Sequence, residues 1–234
     1  MHAYLSLKYL CNVKYSLEGA EVITRTILVV IVVLAIVVGA LAVYFILRRG
    51  EEIYNLKNKR VLVVLFEGFQ PAEFHPVRNY LQKCGAEVKI LSLHRNIGVS
   101  YDMYIYDVRD KFNQLAEQYD AIVIIGGEGV YRRVTIEQLP EEVELLQELV
   151  IIFNNKGKLV AAICAAPAVL ARAGILKGVK ATCFPDNKLI NILKEGGAQY
   201  TGNDVEIHHN IITGKGPGAA GAFAKQIARY LSEA

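Results

Sequence analysis

Cysteine is scarce in this chain, and its placement excludes more than its number does. Of 234 residues four are cysteine, Cys11, Cys84, Cys164 and Cys183, with no CxxC pair and no zinc-ligand spacing among them. That pattern argues against a disulfide framework and against a thiolate metal site, and reduced thiols suit a cytoplasmic domain. Charge of one sign is equally short, because 26 Lys and Arg against 23 Asp and Glu leave a formal net charge of +3. Such a balance implies no nucleic-acid partner. Phosphate-binding loops are missing too: Gly126-Gly127-Glu128-Gly129 lacks the third glycine of a dinucleotide fingerprint, and Gly214-Lys215-Gly216 lacks the Walker spacing. Among the five histidines, His2, His75, His94, His208 and His209, only the last two are adjacent. On a strand their rings would point to opposite faces and could not chelate one ion together. Neither a metal nor a cofactor is implied.

Hydrophobic residues, by contrast, make up 53% of the chain, and the excess is concentrated in one place. Ile27 to Leu47, ILVVIVVLAIVVGALAVYFIL, carries no charge over 21 residues, which is enough to cross a ~30 Å hydrocarbon core as a helix. The segment reads as a transmembrane α-helix. Arg48, Arg49, Lys57, Lys59 and Arg60 cluster just after it, whereas Lys8, Lys14 and Arg25 are spread through the segment before it. The positive-inside bias then gives a single-pass membrane protein with its C-terminal domain in the cytoplasm, the basic cluster meeting anionic lipid headgroups. Cleavage of a signal peptide after Ala42 is the competing reading, since Ala40-Leu41-Ala42 has the small-x-small form. The expected organisation is therefore a short extracytoplasmic segment over 1–26, the span over 27–47, a charged linker over 48–59 and one domain over 60–234.

Within that domain, continuous apolar runs at Val61 to Phe66, Ala121 to Ile125 and Leu159 to Ile163 alternate with helical patterns at Pro71 to Cys84, Phe112 to Gln118 and Glu141 to Asn155. Strands apolar on both faces and separated by helices predict an α/β fold with a doubly wound parallel sheet. Further strands are expected at Glu87 to Leu93 and Lys180 to Cys183, an extended stretch at Val99 to Tyr106, helices near Asp186 to Glu195 and Ala219 to Ser232, and a hairpin around His209-Asn210. Ligands of such sheets bind beyond the carboxyl ends of the strands. Three loops fall there: Glu67 to Glu73, Gly126 to Gly129 and Cys164 to Pro167.

Cys164 ends the Leu159 to Ile163 run and opens Ala165-Ala166-Pro167-Ala168-Val169-Leu170, so a buried strand turns sharply into a helix at a thiol. Small residues at Ala162 and Ala166 leave that turn uncrowded, as around a nucleophile elbow. The helix start would aim unpaired N–H groups and a positive dipole end at the sulfur, favouring the thiolate.

Four segments in order, VLVVLFEGFQPAEF, AIVIIGGEG, LVAAICAAPAVLA and ITGKGPG, make residues 60 to 233 resemble the ThiJ/PfpI family. That family is a flavodoxin-like branch of the class I glutamine amidotransferase-like superfamily, and it includes protein deglycases. The resemblance implies Cys164 as nucleophile, Glu73 as its carboxyl partner, and the amides of Gly127 and Ala165 as donors to an oxyanion. It also implies a homo-oligomer. Glu67, directly after the first strand, is a local competitor of Glu73. In many members of the family that cleave peptides a histidine directly follows the cysteine and another precedes a downstream proline; here those positions are Ala165 and Phe184. Peptidase and amidotransferase chemistry are disfavoured, because a thiol protease needs an acid to protonate the leaving amine. The leading expectation is a glyoxalase- or deglycase-like enzyme acting on small aldehydes or glycated protein without a cofactor. A non-catalytic redox sensor or chaperone-like module, in which Cys164 oxidises, is the alternative.

Overall fold

The computed structural model describes residues 30–42, 44 and 53–234, and the chain divides between Glu52 and Ile53 into two units, each described by itself. In the first unit residues 30–42 and 44 are helical (α1), with exposed apolar side chains such as Val30, Leu34 and Ile36. Among the described residues no helix is long and apolar enough to cross a membrane. The expected transmembrane span over Ile27 to Leu47, and with it the single-pass topology and cytoplasmic placement, is corrected on this ground. The segment 1–26 and residues 48–52 of the expected linker lie outside the described residues.

The second unit is built on the apolar runs. Strands β1 (Arg60–Leu65), β4 (Ala121–Ile124) and β5 (Leu159–Ile163) are buried along nearly their whole length, which requires cover on both faces. Together with β2 (Glu87–Ser92), β3 (Met103–Tyr104), β8 (Val205–His208) and β9 (Ile211–Gly214) they form a seven-stranded sheet of order β3-β2-β1-β4-β5-β9-β8. All pairings are parallel except β8 against β9. A separate parallel pair joins β6 (Lys180–Ala181) to β7 (Gln199–Tyr200).

From β1 the chain steps outward to β2 and β3, then returns to place β4 on the other side of β1. Right-handed crossovers on the two sides of that reversal put their helices on opposite faces. Accordingly α2 (Pro71–Lys83) packs on α9 (Ala220–Glu233), while α6 (Glu141–Asn155) packs on α3 (Ile105–Val108), α4 (Phe112–Gln118) and α7 (Pro167–Arg172). Helix α8 (Asn187–Glu195) lies against α7. The reversal also opens a crevice between β1 and β4 at their carboxyl ends, where doubly wound sheets bind ligands.

Three local results differ from the sequence reading. The stretch expected as extended over Val99 to Tyr106 is a strand only at Met103–Tyr104 and turns helical from Ile105. Residues Glu128–Val134 form a helix, α5, where the glycines read as loop; Gly127 takes the N-cap with φ 129°. His208 and His209 do not diverge. His209 leaves β8 with φ 53°, which swings its ring back to an edge-on contact with His208 at 4.6 Å between centroids.

Candidate active site

Glu73 is the anomaly of α2. The buried stripe of this helix is Glu73, Phe74, Val77, Tyr80 and Leu81, so a carboxyl occupies a position that helical periodicity assigns to the core. Its placement starts with Pro71 at the first turn and with Gln70, whose side chain accepts from Ala72 N at 3.3 Å. Glu73 has no exposed surface. One oxygen, Oε2, accepts from Gly126 N at 3.0 Å, and the carboxyl hydrogen-bonds the Cys164 thiol. Oε1 is buried without an N–H or hydroxyl donor. Burial dominates, and it pushes the carboxyl up to about 7 against the lowering effect of the thiol and of Gly126 N–H.

Cys164 stands between β5 and α7 with φ 65°, a left-handed conformation that a β-carbon disfavours. Its backbone is fastened on both sides: Cys164 N donates to Gly214 O at 2.9 Å, and Phe184 N donates to Cys164 O at 2.9 Å. These bonds tie the corner to β9 and to the loop before α8. The amides of Ala165 and Gly127 donate to the sulfur. Against them, burial, the Glu73 charge and the Glu73 hydrogen bond push the thiol up to about 12. While Glu73 is charged, the expected lowering of the thiol by its helix is outweighed, because α7 has six residues and a short dipole cannot offset desolvation plus a facing carboxylate. As the two groups touch, the values describe a pair: it gives up one proton near neutrality and keeps the second into strong alkali.

Glycine makes the approach of these loops possible. A β-carbon on Gly126 would lie 2.5 Å from Cys164 Cβ, and one on Gly127 would lie 2.6 Å from Gln70 N and from Gly68 O. Backbone bonds from Gln70 N to Gly126 O (2.9 Å) and from Gly129 N to Gly68 O (3.0 Å) close the seam. Glu67 points elsewhere. It pairs with Arg133 at 3.3 Å in a mostly exposed position, and Arg133 also meets Glu142 at 3.2 Å. His94 joins this cluster, its Nδ1 accepting from Glu67 N at 3.1 Å, with its imidazole held below the usual range by burial and by Arg133. His75 is exposed.

Above the sulfur lies a cavity of about 340 Å³ with Gln70, Glu128, Tyr131, Phe184, Asp186 and Leu189 in its wall. Three of these, Tyr131, Asp186 and Leu189, escaped sequence reasoning. They come from α5 and from the start of α8, and no local motif marks them. Phe184 stands where the resemblance implies a histidine in peptide-cleaving members, and it makes the wall there apolar. Among the described residues no group of three His, Cys, Asp or Glu side chains could hold a metal ion.

The family model described as the DJ-1/PfpI family matches residues 59–230. An uncharacterized protein of Methanocaldococcus jannaschii is 35% identical over 192 residues, 79% of this chain and 88% of that one. A Pyrococcus abyssi protein named a deglycase is 28% identical over 74% of this chain and 99% of its own. A Caenorhabditis elegans protein named a glutathione-independent glyoxalase is 35% identical over 56% of this chain and 61% of its own. Among solved structures, that of Drosophila melanogaster DJ-1beta superposes with a TM-score of 0.62 at 28% identity, covering 76% of this chain and 92% of that one. By motif order, sheet topology and these matches, the chain belongs to the DJ-1/PfpI family.

Proposed function

We propose that this chain is a cofactor-independent enzyme acting on reactive carbonyls, α-oxoaldehydes such as methylglyoxal and their early protein adducts, with Cys164 as nucleophile and Glu73 as proton carrier. The observation that carries this reading is the fully buried Glu73 carboxyl against the Cys164 sulfur at the floor of a cavity. One proton shared by a thiol and a carboxyl suits a reaction that moves one proton between neighbouring carbons. The names of the Pyrococcus and Caenorhabditis relatives support the same substrate class.

In the singly protonated pair we assign the proton to Glu73 and the charge to sulfur. Two amides face the sulfur and one faces the carboxyl, and a large, soft thiolate loses less hydration on burial than a carboxylate does. The thiolate adds to the aldehyde carbon while Glu73 protonates the oxygen, giving a hemithioacetal. The Glu73 carboxylate then takes the hydrogen from that carbon, forming an enediol, and returns it to the neighbouring carbon. A thioester results. One carbon has been oxidised and its neighbour reduced, so no electron carrier is needed. Water cleaves the thioester to a 2-hydroxy acid, one proton going back to Glu73 and one to solvent. The Gly127 and Ala165 amides beside the sulfur would hold the oxyanion that develops when sulfur adds and when water adds.

Incubating purified protein with methylglyoxal and assaying lactate tests the reading. Wild type should form lactate, and Glu73→Gln should lose about 10²-fold or more while keeping its fold. Absence of lactate from wild type would remove the enzyme from consideration. Robust turnover by Glu73→Gln would remove Glu73 from the mechanism.

A further inference from the structure

The cavity over Cys164 is chemically lopsided. Two acidic side chains, Glu128 and Asp186, stand in its wall and no basic one does. They are held differently. Glu128 is 70% exposed and pairs with Arg132 at 3.7 Å, so its charge is both neutralised and hydrated. Asp186 is fixed from three directions: its Oδ1 accepts from Lys188 N at 2.9 Å and Leu189 N at 3.2 Å, and the Tyr131 hydroxyl across the cavity hydrogen-bonds it. Its backbone N donates to Phe184 O at 2.7 Å. Phe184, in turn, donates its N–H to Cys164 O and borders the same cavity. A carboxylate with one position, no cation partner among its described contacts and a place on the wall above the reactive sulfur acts on whatever approaches that sulfur.

We propose that Asp186, fixed by Tyr131 and by the first amides of α8, is a specificity-determining residue that excludes anions from the path to Cys164. The substrate class is thereby narrowed to uncharged α-oxoaldehydes and carbonyl adducts borne on amines or guanidines, against carbonyl compounds bearing a carboxylate or phosphate. This rests on the carbonyl reading of the site for its substrates, but the charge filter itself does not require turnover. Phe184, Leu189 and Pro217, which share the lining with Asp186, carry no side-chain donor for an anion.

Paired alkylating agents of similar shape, one neutral and one anionic, read the filter directly. The rates of Cys164 modification by iodoacetamide and by iodoacetate, each divided by the rate with a small free thiol, give a selectivity ratio. Wild type should favour the neutral reagent, and Asp186→Asn should cut that preference by about fivefold, the size expected for one partly screened charge on the cavity wall. Asparagine keeps the helix cap and the Tyr131 contact, so the change isolates charge. Glu128→Gln should alter the ratio by less than about 1.5-fold, as an exposed, paired carboxylate does. A salt arm needs no variant: raising ionic strength from ~0.02 M to ~0.5 M should shrink the wild-type preference. An Asp186→Asn ratio equal to wild type, a Glu128→Gln shift as large as that of Asp186→Asn, or a salt-independent preference would each overturn the proposal. If wild type forms no lactate yet shows the filter, the carbonyl reading falls and the anion exclusion stands.

Discussion

Cys164 and Cys183 are both buried thiols, 9% and 0% exposed, and burial pushes both up, Cys183 to about 12 and Cys164 to about 12 when it faces a charged Glu73. Their surroundings differ. Cys164 has a left-handed backbone, two amides on its sulfur, a buried carboxyl in contact and a cavity above it. Cys183 has the charge of Asp186 and, among the described residues, no amide donor acting on its sulfur. Burial alone therefore does not distinguish a nucleophile from a packing residue. What distinguishes them is a second group able to hold the proton, and a route for a reagent.

The sharpest way to break this comparison is to delete each thiol. Cys164→Ala should lose about 10³-fold or more of lactate formation, the scale seen when a nucleophile is removed, while Cys183→Ala should stay within about twofold in a steady-state assay. Equal losses would mean that the two cysteines act through stability instead.

Stability against pH separates them next. The Glu73–Cys164 pair gives up its first proton at about 7 in the folded chain, against 4.5 for an ordinary glutamate, so the native state keeps a proton that the unfolded state has already released. Its contribution is full below the unfolded value and is lost as pH rises from about 4.5 to about 7, by about 3 kcal/mol in all. Denaturant titrations across that range should show this slope, and Glu73→Gln should flatten it. Cys183 adds no slope there, because its thiol is protonated in both states.

The close approach that serves Cys164 alone depends on Gly126, whose β-carbon would lie 2.5 Å from Cys164 Cβ and 2.6 Å from Ile163 O. Gly126→Ala should cost about 1–3 kcal/mol in chemical denaturation by overpacking, and should slow alkylation of Cys164 but not of Cys183. The smallest effect belongs to Glu67. Its 64% exposed side chain pairs with Arg133 at the surface, so Glu67→Gln should change stability by under about 1 kcal/mol and leave turnover within about twofold.

Much of the fold could be read before the structure was known. The runs at β1, β4 and β5 are apolar at consecutive positions, which only strands covered on both faces need, and α4 and α6 have the ends expected of them. Helix α5 escaped because Gly127 and Gly129 look like loop residues. In fact a β-carbon on Gly129 would collide with Glu67 O, so the glycine serves the packing of the two loops. The candidate site was only half legible. Cys164 announces itself at a strand-to-helix corner, but Glu73 lies 91 positions away in the sequence, where family resemblance alone selects it over Glu67. Tyr131 and Asp186 meet only through the packing of α5 against the α8 cap. What the helix dipole alone leaves out is the desolvation and the facing carboxylate that hold the pair's second proton up to about 12.

The central claim is that Cys164 and Glu73 share one proton near neutral pH, with the charge on sulfur. Ultraviolet thiolate absorbance of wild type, with Cys164→Ser subtracted as the blank, follows that charge as pH is raised. The account predicts one equivalent of thiolate appearing with a midpoint near 7, where the pair loses its first proton. A thiolate that appears only in strong alkali, near 12, would place the charge on Glu73 and contradict the assignment.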